Sequence, residues 1–144
     1  MFSNAAEYAI KACIWIALNS SKDRYVTINE IVESTGLPRA FTAKTLQKLA
    51  KFRIVDSVKG PHGGFCIMND SPKDVSLLEI VQAIDGSGLL HDCVLGLKVC
   101  SEVKPCPAHP KFKPIREEIS EFLINTSLED LTKGVNEKLT HLKL

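Results

Sequence analysis

Apolar and polar residues in the first third of the chain follow the spacing of three helices. Apolar side chains recur every third or fourth residue over 4–19 and predict a first amphipathic helix, its apolar positions being Ala5, Tyr8, Ala9, Ala12, Cys13, Ile16 and Ala17. Thr-Ile-Asn-Glu at 27–30 fits a capping box that starts a short helix ending near Ser34. Gly-Leu-Pro at 36–38 supplies a turn before a third helix that reaches about Phe52. Its predicted core residues are Phe41, Leu46 and Leu49.

The following segment changes to the pattern of a β-hairpin. Residues 54–58 and 65–68 are predicted strands, and the glycines and proline at 59–64 suit the tip between them. Ser-Leu-Leu-Glu at 76–79 is a second capping box, and the helix it starts continues to Gly86. Residues 87–110 show no clear period. A long helix is predicted at about 111–124 and a final one at 127–142.

This order of elements is typical of a winged helix-turn-helix. The fold class we predict is mainly α with a small β-hairpin wing, followed by a long helix. The winged helix-turn-helix takes residues 1–86, a cysteine-rich loop takes 87–110, and the C-terminal helices take 111–144. In such folds a helix enters the major groove of DNA while the hairpin tip reaches the neighbouring backbone or minor groove.

Length and composition are consistent with one soluble domain. A chain of 144 residues can form one hydrophobic core and is short for two domains. No apolar run approaches the roughly 20 residues that cross a bilayer. The first residues lack the basic region and cleavage site of a signal peptide, so we expect a cytoplasmic protein. Cysteines in that compartment are reduced thiols or metal ligands more often than disulfides.

The net charge of +1 conceals a basic block. Residues 36–62 carry six basic side chains against Asp56 alone, whereas 63–103 carry two basic and six acidic ones. Lys44, Lys48 and Lys51 stand at the i, i+4, i+7 spacing of one helix face. A solvated surface is one interpretation of this block, and a DNA-binding surface is the one we favour. The candidate DNA-binding residues are Thr27, Pro38, Arg39, Ala40, Thr42, Ala43, Lys44, Lys48, Lys51, Lys59 and His62, with Arg39 and Thr42 near the helix end that meets base edges.

Four potential metal ligands lie in the loop at 87–110. They are Cys93, Cys100, Cys106 and His109, in the pattern C-x6-C-x5-C-x2-H. Thiolates and an imidazole suit zinc or an iron–sulfur cluster, and the same thiols could act as a redox switch. Cys13 and Cys66 fall in a predicted helix and strand, where isolated cysteines are small core residues. His91 precedes Cys93 too closely to share a metal easily, so we interpret it as structural.

Nearly the whole chain resembles the Rrf2 family of winged-helix transcriptional regulators, with its IscR-, NsrR- and CymR-like branches. The resemblance rests on Glu-Tyr-Ala-Ile at 7–10, Gly-Leu-Pro at 36–38, Leu-Gln-Lys-Leu at 46–49 and Ser-Val-Lys-Gly-Pro-His-Gly-Gly-Phe at 57–65. It implies a homodimer paired through the helix at 111–124 and a pseudo-palindromic DNA operator. Lys59 stands where the family usually has arginine, and Thr42 where it more often has leucine.

The resemblance also favours an iron–sulfur cluster, [2Fe–2S] or [4Fe–4S], on the three cysteines. The fourth ligand it implies is His109, as in the iron–sulfur assembly branch, or Glu7 of the partner subunit, as in the nitric-oxide-sensing branch. The resulting hypothesis is a repressor whose operator affinity responds to redox state, nitric oxide or iron. Its alternatives are a cluster-free regulator controlled by a protein partner or thiol oxidation, a protein-interaction module, and an enzyme using Cys106 and His109, which lacks the accompanying catalytic motifs. We therefore predict that the chain is not an enzyme.

Overall fold

A computed structural model describes residues 2–68, 72–98 and 100–136. For Asn136 only the backbone is described. Seven helices and one hairpin make up these residues. In chain order they are α1 (Asn4–Asn19), α2 (Ile28–Thr35), α3 (Arg39–Lys51), β1 (Val55–Val58), β2 (Gly64–Ile67), α4 (Leu77–Asp85), α5 (Gly88–His91), α6 (His109–Asn125) and α7 (Leu128–Asn136), with a short 3-10 turn at Pro72–Asp74. The order confirms the predicted winged-helix class, and the predicted helices and strands before residue 127 are present within a few residues of their expected bounds.

Helix α1 is the centre of the core. Ser3 caps its first turn, because the side-chain oxygen accepts a hydrogen bond from the backbone amide of Ala6. Its buried face packs against α3 and α4, with Ala9, Ala12, Cys13 and Ile16 fully enclosed. Burial without a charged neighbour raises the pKa of the Cys13 thiol to about 12. Cys13 and Cys66 are both buried, which confirms their interpretation as core residues.

The α2–turn–α3 unit follows from its local chemistry. The predicted capping box is present, since Thr27 and Glu30 exchange side-chain and backbone hydrogen bonds. Gly36 ends α2 in the left-handed conformation, with φ of 74°, which glycine adopts without strain. Leu37 is then buried in the core, and Pro38 begins α3. The turn thereby fixes the direction in which α3 leaves α2.

The core face of α3 differs from the prediction at one position. Leu46 and Leu49 are fully buried as expected, whereas Phe41 is 57% exposed. The buried face is completed by Thr42 and Thr45 instead. Phe41 precedes Thr42 by one residue and is therefore turned about 100° away from that face. Its ring packs edge-on against Tyr8, with centroids 6.3 Å apart.

The hairpin is anchored to the residue before α2. Its strands are antiparallel, with Val55 opposite Ile67 and Val58 opposite Gly64. Val26 and Phe65 add a bridge outside the hairpin, at N···O distances of 2.9 and 2.7 Å. Because Val26 directly precedes the α2 capping box, the hairpin and the α2–α3 unit are held in a fixed relation.

Helix α6 packs against α4, whereas α7 packs against α1 and the 3-10 turn. The second predicted capping box forms at the start of α4, between Ser76 and Glu79. The segment without periodicity contains one short helix, α5, and α6 begins at His109, two residues before its expected start. Helix α7 matches the first part of the predicted helix at 127–142, and 137–142 lie outside the described residues. None of the described helices is long and apolar enough to cross a bilayer.

Candidate DNA interface and cysteine site

The outward face of α3 carries Lys44 and Lys51. Since the opposite face is buried in the core, the helical period turns Ala40, Lys44 and Lys51 toward solvent, and all three are exposed. Gln47 lies between the two lysines on the same face and is also exposed. Sequence reasoning missed Gln47, although its spacing from Lys44 (i+3) and Lys51 (i−4) marks it as part of this face. We call Ala40, Lys44, Gln47 and Lys51 the outward face of α3.

One of the predicted contact residues is buried, whereas another is exposed beside the outward face. Lys48 lies at the flank of α3, where its Nζ is 3.4 Å from the backbone oxygen of Ile84 at the end of α4. Thr42 does not fit the predicted base-contacting role, because it is only 1% exposed. Its hydroxyl donates to the backbone oxygen of Pro38 at 2.9 Å, within the core side of the helix. The spacing of residues alone does not distinguish a helix flank from its outward face.

The remaining candidates on α2 and α3 surround the start of the outward face. Arg39 is exposed and donates to the side-chain oxygen of Asn29 on α2. Thr27 is exposed at the start of α2, with its hydroxyl oxygen accepting from the Glu30 amide at 3.2 Å. Pro38 is exposed and Ala43 is half-buried. Small and polar residues at this end leave the backbone accessible.

The hairpin tip adds Lys59 and His62, both exposed. Gly60 has a φ of 110°, a conformation that side chains rarely allow. A Cβ atom on Gly63 would lie 2.1 Å from the backbone oxygen of Val58, so the tip closes only with glycine there. A tip with this little side-chain bulk allows backbone amides to approach a phosphate closely.

The four candidate ligands of the cysteine loop form two pairs. The Sγ atoms of Cys93 and Cys106 are 3.8 Å apart, and the Sγ of Cys100 is 3.2 Å from Nδ1 of His109. All five cysteines of the chain are free thiols. In the part of the chain that the structure describes, no group of three or more histidine, cysteine or acidic side chains converges on a single metal position.

The surroundings of Cys93 favour negative charge on its sulfur. The backbone amides of Leu95 and Leu97, which donate toward the sulfur, lower the pKa of the Cys93 thiol, with smaller contributions from Cys106 and Arg116. Cys100 and His109 line a cavity of 380 Å³ together with Leu90, His91, Glu102, Lys113, Arg116 and Glu117. His91 also lines this cavity, but none of the described contacts joins its ring to a thiol.

A family model matches this chain over residues 2–134, under the description of iron-dependent transcriptional regulators of the Rrf2 type. The match covers both the winged helix and the cysteine loop. The chain belongs to the Rrf2 family.

Individual relatives agree with this assignment. A protein of Aquifex aeolicus named as an HTH-type transcriptional regulator is 34% identical over 133 residues, covering 91% of this chain and 90% of its own length. The regulator IscR of Xenorhabdus nematophila is 29% identical over 132 residues, covering 92% of this chain and 79% of its own. Rrf2 proteins are DNA-binding transcriptional regulators and not enzymes, which confirms that prediction.

Solved structures of Rrf2 regulators share the fold. The cysteine regulator CymR of B. subtilis superposes with a TM-score of 0.75 at 20% identity, covering 92% of this chain and 96% of its own. IscR of T. potens gives the same TM-score at 23% identity, covering 98% and 92%. The fold is therefore common to regulators that carry different names, and the fold alone does not select the signal of this chain.

The contacts within the cysteine loop concern two roles suggested by the sequence, those of His109 and Glu7. His109 is paired with Cys100 and not with Cys106, so the nucleophilic pair of the enzyme alternative is not formed. Glu7 is exposed in the first turn of α1, and among the described residues it joins no group of three potential ligands. A ligand donated by Glu7 of the partner subunit stays a prediction for this Rrf2 chain.

Proposed function

We propose that this protein is a homodimeric transcriptional repressor whose affinity for a pseudo-palindromic operator is set by an iron–sulfur cluster. The observation that carries the proposal is the two donor pairs, Cys93 with Cys106 and Cys100 with His109, in the segment that joins the winged helix to α6. A change in the conformation of this segment would alter the position of α6 relative to the winged helix. The protein acts on chromosomal DNA and hence in the cytoplasm.

The donor pairs fit a cluster with two protein ligands on each iron. Two thiolates bound tetrahedrally at about 2.3 Å from one metal are about 3.8 Å apart. The Cys93–Cys106 distance of 3.8 Å agrees with that value. A [2Fe–2S] cluster takes two protein ligands at each iron, and histidine is known in place of cysteine. Two pairs of donors therefore favour [2Fe–2S] over [4Fe–4S], and when bound such a cluster supplies one-electron redox chemistry and a site for oxygen or nitric oxide.

His109 is the better-supported fourth ligand. Its ring lies in the same chain as the three thiols, with Nδ1 at 3.2 Å from Cys100. As the first residue of α6 it also connects the cysteine loop directly to that helix. The amides of Leu95 and Leu97, which donate toward Cys93, stabilise a thiolate ligand in the same manner as hydrogen bonds around metal-bound sulfur in general.

The DNA half of the proposal uses the outward face of α3 and the hairpin tip. Lys44 and Lys51 would contact phosphates at the groove edges, Gln47 and Ala40 would face the bases, and Lys59 and His62 would reach the adjacent backbone or minor groove. Arg39 and Thr27 are also exposed and would donate to phosphates. The basic side chains release counterions on binding, so affinity depends strongly on salt.

The homodimer would form through one face of α6. Ile115 and Phe122 are exposed on that face and line a mainly apolar cavity of 240 Å³ with Phe2, Ile119 and the single carboxylate of Glu118. Two copies of such a face bury each other in a symmetric pair, which matches the symmetry of a pseudo-palindromic operator.

Phe122→Glu is expected to separate the dimer. A charge placed in the centre of an apolar interface weakens association by about 2–4 kcal/mol, or 30-fold or more in the dimer dissociation constant. Ile124→Glu is the control, because Ile124 is equally exposed on the same helix but points away from that face. Light scattering during size-exclusion chromatography measures both, and a Phe122→Glu protein that stays dimeric at low micromolar concentration would contradict this interface.

The geometry also supports a second candidate, a cluster-free regulator switched by thiol oxidation. The thiols of Cys93 and Cys106 lie 3.8 Å apart, within reach of a disulfide bond of about 2.05 Å after a small movement. Oxidation by hydrogen peroxide would join the two sulfurs and release two waters as the peroxide takes up both thiol protons and two electrons. One of the solved structures with this fold is an oxidized form of CymR from Staphylococcus aureus.

Iron and sulfide analysis separates the two candidates. Protein purified without oxygen is assayed for iron and acid-labile sulfide and is then used to select binding sequences from fragmented genomic DNA. The proposal expects about two irons and two sulfides per chain, as in a [2Fe–2S] cluster, together with enrichment of fragments containing an inverted repeat. Protein that binds such fragments but contains no iron would support the thiol switch instead, and protein that enriches no fragment would contradict both.

A further inference from the structure

Arg116 connects α6 to the cysteine loop through several contacts of one side chain. Its guanidinium donates to the backbone oxygen of Asp92 at 2.8 Å, and its two terminal nitrogens lie 3.6 and 3.7 Å from the Sγ of Cys100. The same group stacks on the ring of Phe112, one helical turn earlier, at 5.2 Å from the ring centroid. Asp92, which directly precedes Cys93, and Cys100 itself are thereby tied to one point of α6.

Two carboxylates, Glu102 and Glu117, line the same cavity as Arg116, but neither is paired with its guanidinium. In the described ranges Arg116 takes part in no ion pair, whereas Lys113 on the same helix is paired with Glu102. Its Nε is buried without a hydrogen-bond partner. A buried guanidinium nitrogen without an acceptor has a cost in free energy, which an anion beside the group would offset. An anion beside Arg116 would sit at the side of the cavity lined by Cys100 and His109, while Glu102 and Glu117 also line this cavity.

We propose that Arg116 is a positioning residue that holds the cysteine loop on α6 and keeps a positive charge beside the Cys100 ligand of the cluster. This inference rests on the proposed function. A [2Fe–2S] core of charge +2 with three thiolates and a neutral histidine has a net charge of −1, and one-electron reduction makes it −2. A fixed cation at Cys100 stabilises the reduced form more than the oxidised form and so raises the reduction potential.

Two features of the side chain are separable. The planar guanidinium fork binds Asp92 and Cys100 at once, and only arginine provides it. The positive charge is common to arginine and lysine. Arg116→Lys therefore removes the fork and keeps the charge, whereas Arg116→Gln removes both. Lys111→Gln is the matched control, because Lys111 is an exposed cation on the same helix outside the cavity.

The experiment measures two quantities on the full-length protein. Spectroelectrochemistry of the anaerobically purified protein gives the reduction potential, and amide hydrogen exchange of the iron-free protein gives the protection of residues 92–98. In Arg116→Gln we expect the ratio of reduced to oxidised cluster at a given potential to fall about tenfold, which is a shift of about 59 mV downward for one electron. Exchange over 92–98 is expected to accelerate at least tenfold. Arg116→Lys should keep the potential and lose the protection, and Lys111→Gln should keep both.

The outcomes distinguish this inference from the proposed function. Wild-type protein that contains iron, with Arg116→Gln equal to it in both measurements, overturns the role of Arg116 and leaves the cluster in place. Equal potentials for Arg116→Gln and wild type overturn the electrostatic role even where exchange changes. Wild-type protein without iron contradicts the proposed function and this inference together. If Arg116→Gln fails to fold, Arg116→Lys supplies the test. A reduction potential of Arg116→Lys about 59 mV or more below the wild-type value would overturn the inference, because this variant keeps the positive charge.

Discussion

Replacing Lys44, Lys51 and Lys59 with alanine is expected to lower affinity for the operator at least 100-fold at about 0.1 M salt. Each lysine neutralises one phosphate in this account, and a dimer presents every such lysine twice. Removing six cations from the DNA surface corresponds to a change of about 5 in the slope of log K against log salt concentration. The variant should therefore bind DNA weakly and with a smaller dependence on salt than the wild type. Titration of a labelled duplex at several salt concentrations measures both quantities.

A control of equal charge is available within the same chain. Lys98, Lys104 and Lys111 are also exposed but lie in the cysteine loop and at the start of α6. Their replacement with alanine removes the same three charges per chain from outside the proposed DNA surface. If this control lost affinity and salt dependence as strongly as the first variant, binding would reflect net charge alone, and the assignment of α3 and the hairpin tip would be wrong.

The second large effect concerns Cys93. Cys93→Ala is expected to abolish the cluster, with iron falling from about two per chain to less than about a tenth of that. The reason is geometric: Cys93 and Cys106 form one donor pair at 3.8 Å, and removing one thiol leaves an iron with a single protein ligand from this pair. Iron analysis and the visible absorption spectrum measure the loss.

Cys66→Ala is the matched control for this variant. Cys66 is also buried, in strand β2, where its Sγ is 3.3 Å from the backbone oxygen of Ser21. Its removal creates a similar small cavity without touching either donor pair, so the iron content should equal that of the wild type. Iron retained by Cys93→Ala, or lost equally from Cys66→Ala, would contradict the assignment of the ligands.

Local chemistry explains how much of the fold the sequence predicts. The two capping boxes, the Gly36 turn and the glycine-rich tip each determine backbone geometry within a few residues, so their positions can be derived without the tertiary structure. Helix α5 is not predicted from the sequence, because four residues are too few to show a helical period of apolar positions. Phe41 is expected in the core because an aromatic residue is usually buried, but its place on the helix turns it toward solvent.

The site is less predictable because its geometry depends on long-range packing. The spacing of Cys93, Cys100, Cys106 and His109 indicates a ligand set, but it does not say which donors pair. The three lysines of α3 share one stripe in the sequence, yet packing against α4 places Lys48 at the flank of that stripe. Arg116 lies seven residues after His109, outside any ligand pattern, and only the fold brings it to Cys100.

We propose that the state of the cysteine loop sets the affinity of the winged helix for DNA. The most direct test is the dissociation constant of one selected operator duplex, measured at fixed salt for cluster-loaded protein and for the same preparation after removal of its iron. We predict that the two constants differ at least tenfold, about 1.4 kcal/mol in binding free energy. Equal constants for the two forms would contradict the account.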